Sequence, residues 1–329
     1  MEKFNVINFH RTRDFGNKIN ATFEFIRQNF KSLVKSILFI AGPPVLIASL
    51  LLGSFMGDMM NMGQASQSGS NMDVMSDYFL SVSFWLQMVL MFIFLIVSSV
   101  MTLATINNYI VLYEEKQSNA IEVHEVWQRV RETFWMYLGT LFLFGLMAMV
   151  VYLVLLIPFV LLAAISPVLI FFGAFFFFGF IIYLAISVSL TIFIRGYEKL
   201  GFFDALARSY KLVQGKWWST FGLLVVLYMI MMFSSYIFLM PWYIVTIVGT
   251  LHNLESGVVT EPSSTMQILM IVFFSLYYLV QMILNTLPNI GVAFQYFNLV
   301  ELKEAKGLLS SIESIGQNEP PAAPQDEHY

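Results

Sequence analysis

FWMYLGTLFLFGLMAMVVYLVLLIPFVLLAAISPVLIFFGAFFFFGFIIYLAISVSLTIFI, from Phe134 to Ile194, decides the fold: it runs for 61 residues without an Asp, Glu, Lys or Arg. A hydrocarbon core of about 30 Å takes roughly 20 helical residues, so the stretch is too long for one span, and three would leave no room for loops. It reads as a hairpin of two spans turning at Ser166-Pro167. Backbone groups in lipid must be satisfied within the segment, and runs this continuously apolar lack the alternation of a barrel strand, so both spans are predicted to be helices.

Working outward, four more runs of this kind appear. The chain is 58% hydrophobic and only 12% charged over 329 residues, too little polar surface for a soluble domain of that size. The predicted fold is all-α: a polytopic transmembrane helical bundle with spans at about 36–57, 78–113, 135–164, 168–194, 217–248 and 266–298. These make one membrane domain over 1–307. The tail, 308–329, with Pro320, Pro321 and Pro324 among acidic residues, reads as disordered. Pro43 and Pro44 fall inside the first span and are expected to kink it near its middle.

The basic residues set the orientation, because loops rich in Lys and Arg stay in the cytoplasm. All 17 fall on one side: seven before the first span, then Lys116, Arg129 and Arg131, then Arg195, Lys199, Arg208, Lys211 and Lys216, then Lys303 and Lys306. The opposite loops carry Asp58, Asp73, Asp77, Glu255 and Glu261 but no Lys or Arg. Both termini are therefore expected in the cytoplasm, in a bacterial inner membrane. The basic N-terminal segment has no apolar core of its own, unlike a cleavable signal, so the first span is expected to direct insertion.

Each hairpin follows a stretch with helical apolar spacing, which makes the chain three copies of one unit, an amphipathic helix plus a transmembrane hairpin. The stripes are Phe15, Ile19, Phe23, Ile26 and Phe30; then Val123, Val126, Trp127, Val130 and Phe134; then Phe203, Leu206, Tyr210, Val213 and Trp217. Asn119 and Glu122 mark a helix start before the second. The periodicity allows two arrangements: helices lying in the headgroup layer, with basic flanks on anionic lipid, or helices packed on the bundle.

The segment Ala205-Leu206-Ala207-Arg208-Ser209-Tyr210-Lys211-Leu212-Val213-Gln214-Gly215-Lys216-Trp217-Trp218 resembles the signature of a bacterial family. That family is the six-helix membrane domain attached to some glycerophosphoryl diester phosphodiesterases, together with its stand-alone relatives. Its pattern is similar to Ala-Leu-x-x-Ser-x-x-Leu-x-x-Gly-x-x-Trp. The stretch Ala293 to Lys306, with Tyr296 and Glu304, is similar too. The resemblance implies architecture rather than activity, because the catalytic barrel of the fused enzymes has no room in this sequence. It singles out Arg208, Tyr210, Lys211, Gly215, Lys216, Trp217 and Trp218 as a cytoplasmic interfacial or partner-binding helix.

Chemistry-bearing residues are sparse. There is no cysteine, which excludes disulfides, thiolate nucleophiles and Cys-based zinc. No span carries an ionisable residue of the kind that pumps use to bind or relay charge. His10, His124, His252 and His328 are too dispersed for a metal centre, and no cofactor or catalytic residue is expected. Asn285, Pro288, Asn289 and Gly291 in the last span have two readings: a kink lining a cavity, or a kink whose amides bond to neighbours. The same two apply to Asn107 and Asn108. Met56, Met59, Met60, Met62, Met72 and Met75, with Met88 and Met91, suit soft Cu(I) but also suit a chain that fills apolar space with 20 methionines. Phe175 to Phe178 presents aromatic bulk all round, to lipid or to a partner.

The expected partners are membrane lipids and other membrane proteins, not nucleic acid. The expected function is a non-enzymatic scaffold, accessory subunit or assembly factor of a membrane complex. The alternative is a transporter or channel for a hydrophobic or lipidic substrate, with Pro43-Pro44 and the last span lining its path.

Overall fold

The structure, a computed structural model, describes residues 6–67, 72–256, 264–305 and 309. Within them lie eleven helices and no strand: α1 (Phe15–Ile40), α2 (Gly42–Gln67), α3 (Met72–Leu80), α4 (Val82–Lys116), α5 (Val123–Ile165), α6 (Pro167–Ser187), α7 (Thr191–Tyr197), α8 (Phe202–Val213), α9 (Trp217–Ser256), α10 (Ser264–Leu284) and α11 (Thr286–Glu304). Six stretches are long and apolar enough to cross a membrane: Gly42–Met59, Val82–Lys116, Val123–Leu162, Val168–Tyr197, Trp217–Gly249 and Thr265–Glu304. The protein is a multi-pass integral membrane protein built as an all-α bundle.

Local chemistry explains the helix ends. Asp14 caps α1 by accepting from the Asn17 amide at 2.7 Å, and Ser81 caps α4 by accepting from Phe84. Glu122 and Glu125 close a reciprocal capping box on α5. Ser166 caps α6 with Pro167 in its first turn, so the turn read from Ser166-Pro167 is where the structure turns. Pro43 and Pro44 sit differently from expectation. They occupy the first turn of α2, directly after the break at Ala41, because a missing N–H is tolerated there and not mid-span. The break therefore joins the amphipathic helix to the span rather than kinking the span's middle. The fourth span also departs from one continuous helix: α6 stops at Ser187, and three residues later α7 begins. The tail from 310 onward lies outside the described residues.

The spans pack in sequence around the bundle: α9 on α10, α10 on α2, α2 on α4, α4 on α5 and α5 on α6, with α6 returning to touch α8 and α9. The core is not at mid-membrane. It gathers at the end that carries the basic loops, where Phe9, Phe25, Tyr109, Tyr113, Phe193, Phe294, Tyr296 and Phe297 are buried together. We call this end the base. Away from it the packing thins. In the most apolar 18-residue stretch of the third span, and in that of the fourth, no residue is buried.

Candidate functional site

The base is built from the last turns of the three hairpins. Each return helix ends at a non-glycine residue in the left-handed region: Gln117 after α4, Lys199 after α7 and Ala305 after α11. Such residues are uncommon, and among the described residues these three are the full set. The repeat read from apolar periodicity is thus present in the backbone as well. Side chains interlock it. Tyr197 lies beside Glu114 of the preceding unit, and Tyr296 donates to Glu198 of the unit before its own at 2.5 Å. Ring contacts fill the centre, with Phe9 stacked on Phe297 at 4.9 Å and Phe25 edge-on to Tyr113 at 4.9 Å.

Arg208 ties the knot. It pairs with Glu198 at 3.2 Å and with Glu304 through both terminal nitrogens, and these carboxylates hold its guanidinium above the usual arginine range, the Glu304 bond contributing most. The two stretches singled out by resemblance, around Arg208 and around Tyr296 and Glu304, are therefore adjacent in space. Other positions of the first stretch are structural. Ser209 is buried; its hydroxyl donates to the Ser187 carbonyl at 2.9 Å and accepts from the Leu190 amide, holding α8 to the gap between α6 and α7. Gly215, at φ +80, makes the turn into α9. Trp217 stacks on Phe221 and Tyr183, whereas Trp218 is 77% exposed. Tyr210 is exposed, and the neighbouring Tyr183 phenol raises its own above the ordinary range. Lys211 and Lys216 point to the surface, and the Lys211 carbonyl accepts from Lys303.

The amphipathic helices turn out to have two apolar faces. On α1, Ala21, Phe25, Leu33 and Ile37 are buried in the bundle, while Phe15, Phe23 and Phe30 of the expected stripe are exposed. On α8, Phe202, Ala205 and Leu212 are buried and Phe203 is 74% exposed. In the second unit the segment is simply the first turns of α5, with Val126 and Val130 buried. Packing on the bundle and facing outward are thus not alternatives; each uses a different side.

Sequence reasoning passed over Lys18. It is buried at the base, where its ammonium donates to Gln295 at 2.8 Å and Ser219 at 2.9 Å, and Gln295 in turn donates to Thr220. Burial among these neutral partners holds the ammonium below the usual lysine range, against the pull of Asp14. Arg13 is similarly placed, 5.1 Å above the Phe294 ring, with its backbone amide on Asn298.

Residues 22–287 match a family described as Domain of unknown function (DUF8558). The chain belongs to that family. No curated protein and no solved structure matches it. The DUF8558 match starts at Thr22 on the buried side of α1 and ends at Leu287, so it takes in every hairpin but not Tyr296 and Glu304.

In this DUF8558 member, the last span breaks at Asn285, between α10 and α11. Pro288 cannot donate to the Leu284 carbonyl, and Asn289 donates its amide to the Asn285 carbonyl at 2.7 Å. Gly291 lies against Leu227, where a Cβ would overlap the leucine methyl. Asn285 alone of the four reaches a cavity, lined also by Val45, Ser98, Ser99, Thr102, Tyr278 and Gln281. Asn107 and Asn108 are buried; Asn108 bridges to Thr133 of α5 at 2.8 Å and so joins two helices, and Asn107 lies beside Tyr137 of α5. Pro43 and Pro44 do not line this cavity. Among the described residues no three His, Asp or Glu gather as metal ligands. His10 faces Glu114 and His124 is exposed, while the side chains of His252, His328, Met60, Met72 and Met75 lie outside the described residues.

Proposed function

We propose that this protein is a non-enzymatic membrane module, a scaffold, accessory subunit or assembly factor, that works by packing against another membrane protein. The observation that carries this reading is the α5–α6 hairpin. Phe171, Phe172, Phe175, Phe176 and Phe178 are all exposed on α6, and its surroundings within the chain are one neighbouring helix along most of its length. A helix bearing large aromatic side chains around its circumference offers a partner helix van der Waals packing, which is what drives association in lipid. Orientation with both termini in the cytoplasm of a bacterial inner membrane belongs to the same proposal, supported by the one-sided basic loops. So does architectural kinship with the six-helix membrane domain of the phosphodiesterases, supported by the Arg208 stretch. Lipid contact is supported by a groove of about 850 Å³ between α1 and α5, with Lys31, Lys35 and His124 on its wall.

Mild-detergent affinity purification followed by mass spectrometry tests the reading. One protein at a fixed ratio, lost when Phe171, Phe175 and Phe176 are changed together to Leu, is expected. A homogeneous chain without a partner, moving a lipidic substrate in liposomes, would replace it with the transporter reading.

A further inference from the structure

The cavity beside the break in the last span has unmet polar demand. Neither side-chain amide of Gln281 and Asn285, one helical turn apart, has a hydrogen-bond partner among the described residues, and both line it. Ser98, Ser99, Thr102 and Tyr278 complete a lining with no charged group. Ser98 and Thr102 are buried at the back, and Ser99 is exposed at the rim. The remaining walls are apolar: Val45, Leu103, Met231 and Met282. Unpaired amides at membrane depth are costly, so this arrangement persists best with a polar guest.

The guest's chemistry follows from the lining. Its amide N–H groups need acceptors and its amide carbonyls need donors, so the guest must supply both. An uncharged lining disfavours a phosphate or ammonium. The volume is about 300 Å³, the share of roughly ten waters, too small for a whole lipid but enough for a polar head. We propose that the cavity binds a neutral glycerolipid with at least one unesterified hydroxyl, of the monoacylglycerol or diacylglycerol type. Its hydroxyl donates to the Asn285 amide oxygen, its ester carbonyl accepts from Gln281, and its acyl chains leave past Ser99.

The full chain in phosphatidylcholine nanodiscs, exposed to a photoactivatable diacylglycerol, tests this. Labelling is expected on α4 and α10, competed by excess diacylglycerol and not by phosphatidylglycerol. Changing Gln281 and Asn285 together to Leu should weaken labelling by about tenfold, the loss of two net hydrogen bonds; Ser99→Trp at the rim is a second, independent block. Circular dichroism confirms that each variant is folded. Equal competition by phosphatidylglycerol, or labelling unchanged in both folded variants, would overturn the proposal, as would labelling confined to other helices.

Discussion

Phenylalanine is used in two opposite ways in this molecule. At the base, Phe25, Phe294 and Phe297 have no exposed surface, whereas on α6 Phe171, Phe175 and Phe176 show 75, 78 and 80% of theirs. The base is held by its own side chains, aromatic rings fixed by Tyr–Glu and Arg–Glu bonds; the hairpin turns its rings outward, away from the rest of the chain. The type of residue alone does not separate the two, since the same side chain is buried in one region and exposed in the other. What separates them is the polar residues placed beside the rings.

The contrast is broken most forcefully at a single ring. Phe25→Ala should cost about 3–5 kcal/mol, as for deletion of a buried aromatic, and Phe176→Ala less than about 0.5 kcal/mol. Thermal unfolding in detergent reads both, and equal losses would erase the distinction. Glycines give a sharper version, because the sign differs. Gly291→Ala and Gly196→Ala meet Leu227 and Tyr137 and should each cost about 1–3 kcal/mol. Gly179→Ala in α6 meets nothing within 4 Å and should be neutral or stabilising by up to about 1 kcal/mol.

How much of this was legible follows the same division. The spans were plain because lipid demands long uncharged runs, and the threefold unit was plain because helical spacing recurs. The base was not, for it depends on residues far apart in sequence: Lys18 meets Gln295, Glu198 meets Tyr296, and Asn29 meets Tyr109. A lysine amid polar residues before the first span reads as solvated, and only the fold shows α9 and α11 closing over it. Of the apolar residues of α1, the stripe Phe15, Ile19, Phe23, Ile26 and Phe30 was legible, whereas Lys18, Thr22 and Asn29 mask the buried face in a pattern of polarity. Of the last-span cluster, Asn285 lines the cavity while Asn289 bonds within its own helix, a division that the type of residue does not announce.

Charge sharpens the comparison further. Arg208→Met should cost about 1–3 kcal/mol, since it strips half-buried Glu198 and Glu304 of a charged hydrogen-bond partner. Removing Arg129, whose pair with Glu115 lies at the surface, should cost no more than about 1 kcal/mol. The smallest effect concerns pH. The unfolded chain keeps the Lys18 proton to higher pH than the folded one, whose ammonium is disfavoured by burial. In the window below the ordinary lysine pKa the unfolded state thus binds more protons, so stability contributed here rises with pH and is complete above that pKa. Lys18→Met should remove this rise from an unfolding series run from neutral to alkaline pH, and a slope unchanged by the substitution would assign it elsewhere.

The central claim, a self-sufficient base carrying a hairpin built for a partner, can be read directly because the chain has no cysteine of its own. Single cysteines at Leu212 and Phe176 carry a nitroxide label in purified protein in nanodiscs and in native membranes. The account predicts an immobile label at position 212 in both. At position 176 it predicts a mobile, lipid-accessible label in nanodiscs that becomes immobile and shielded in native membranes. A label at position 176 that is already shielded in the isolated protein, or that stays lipid-accessible in native membranes, would contradict it.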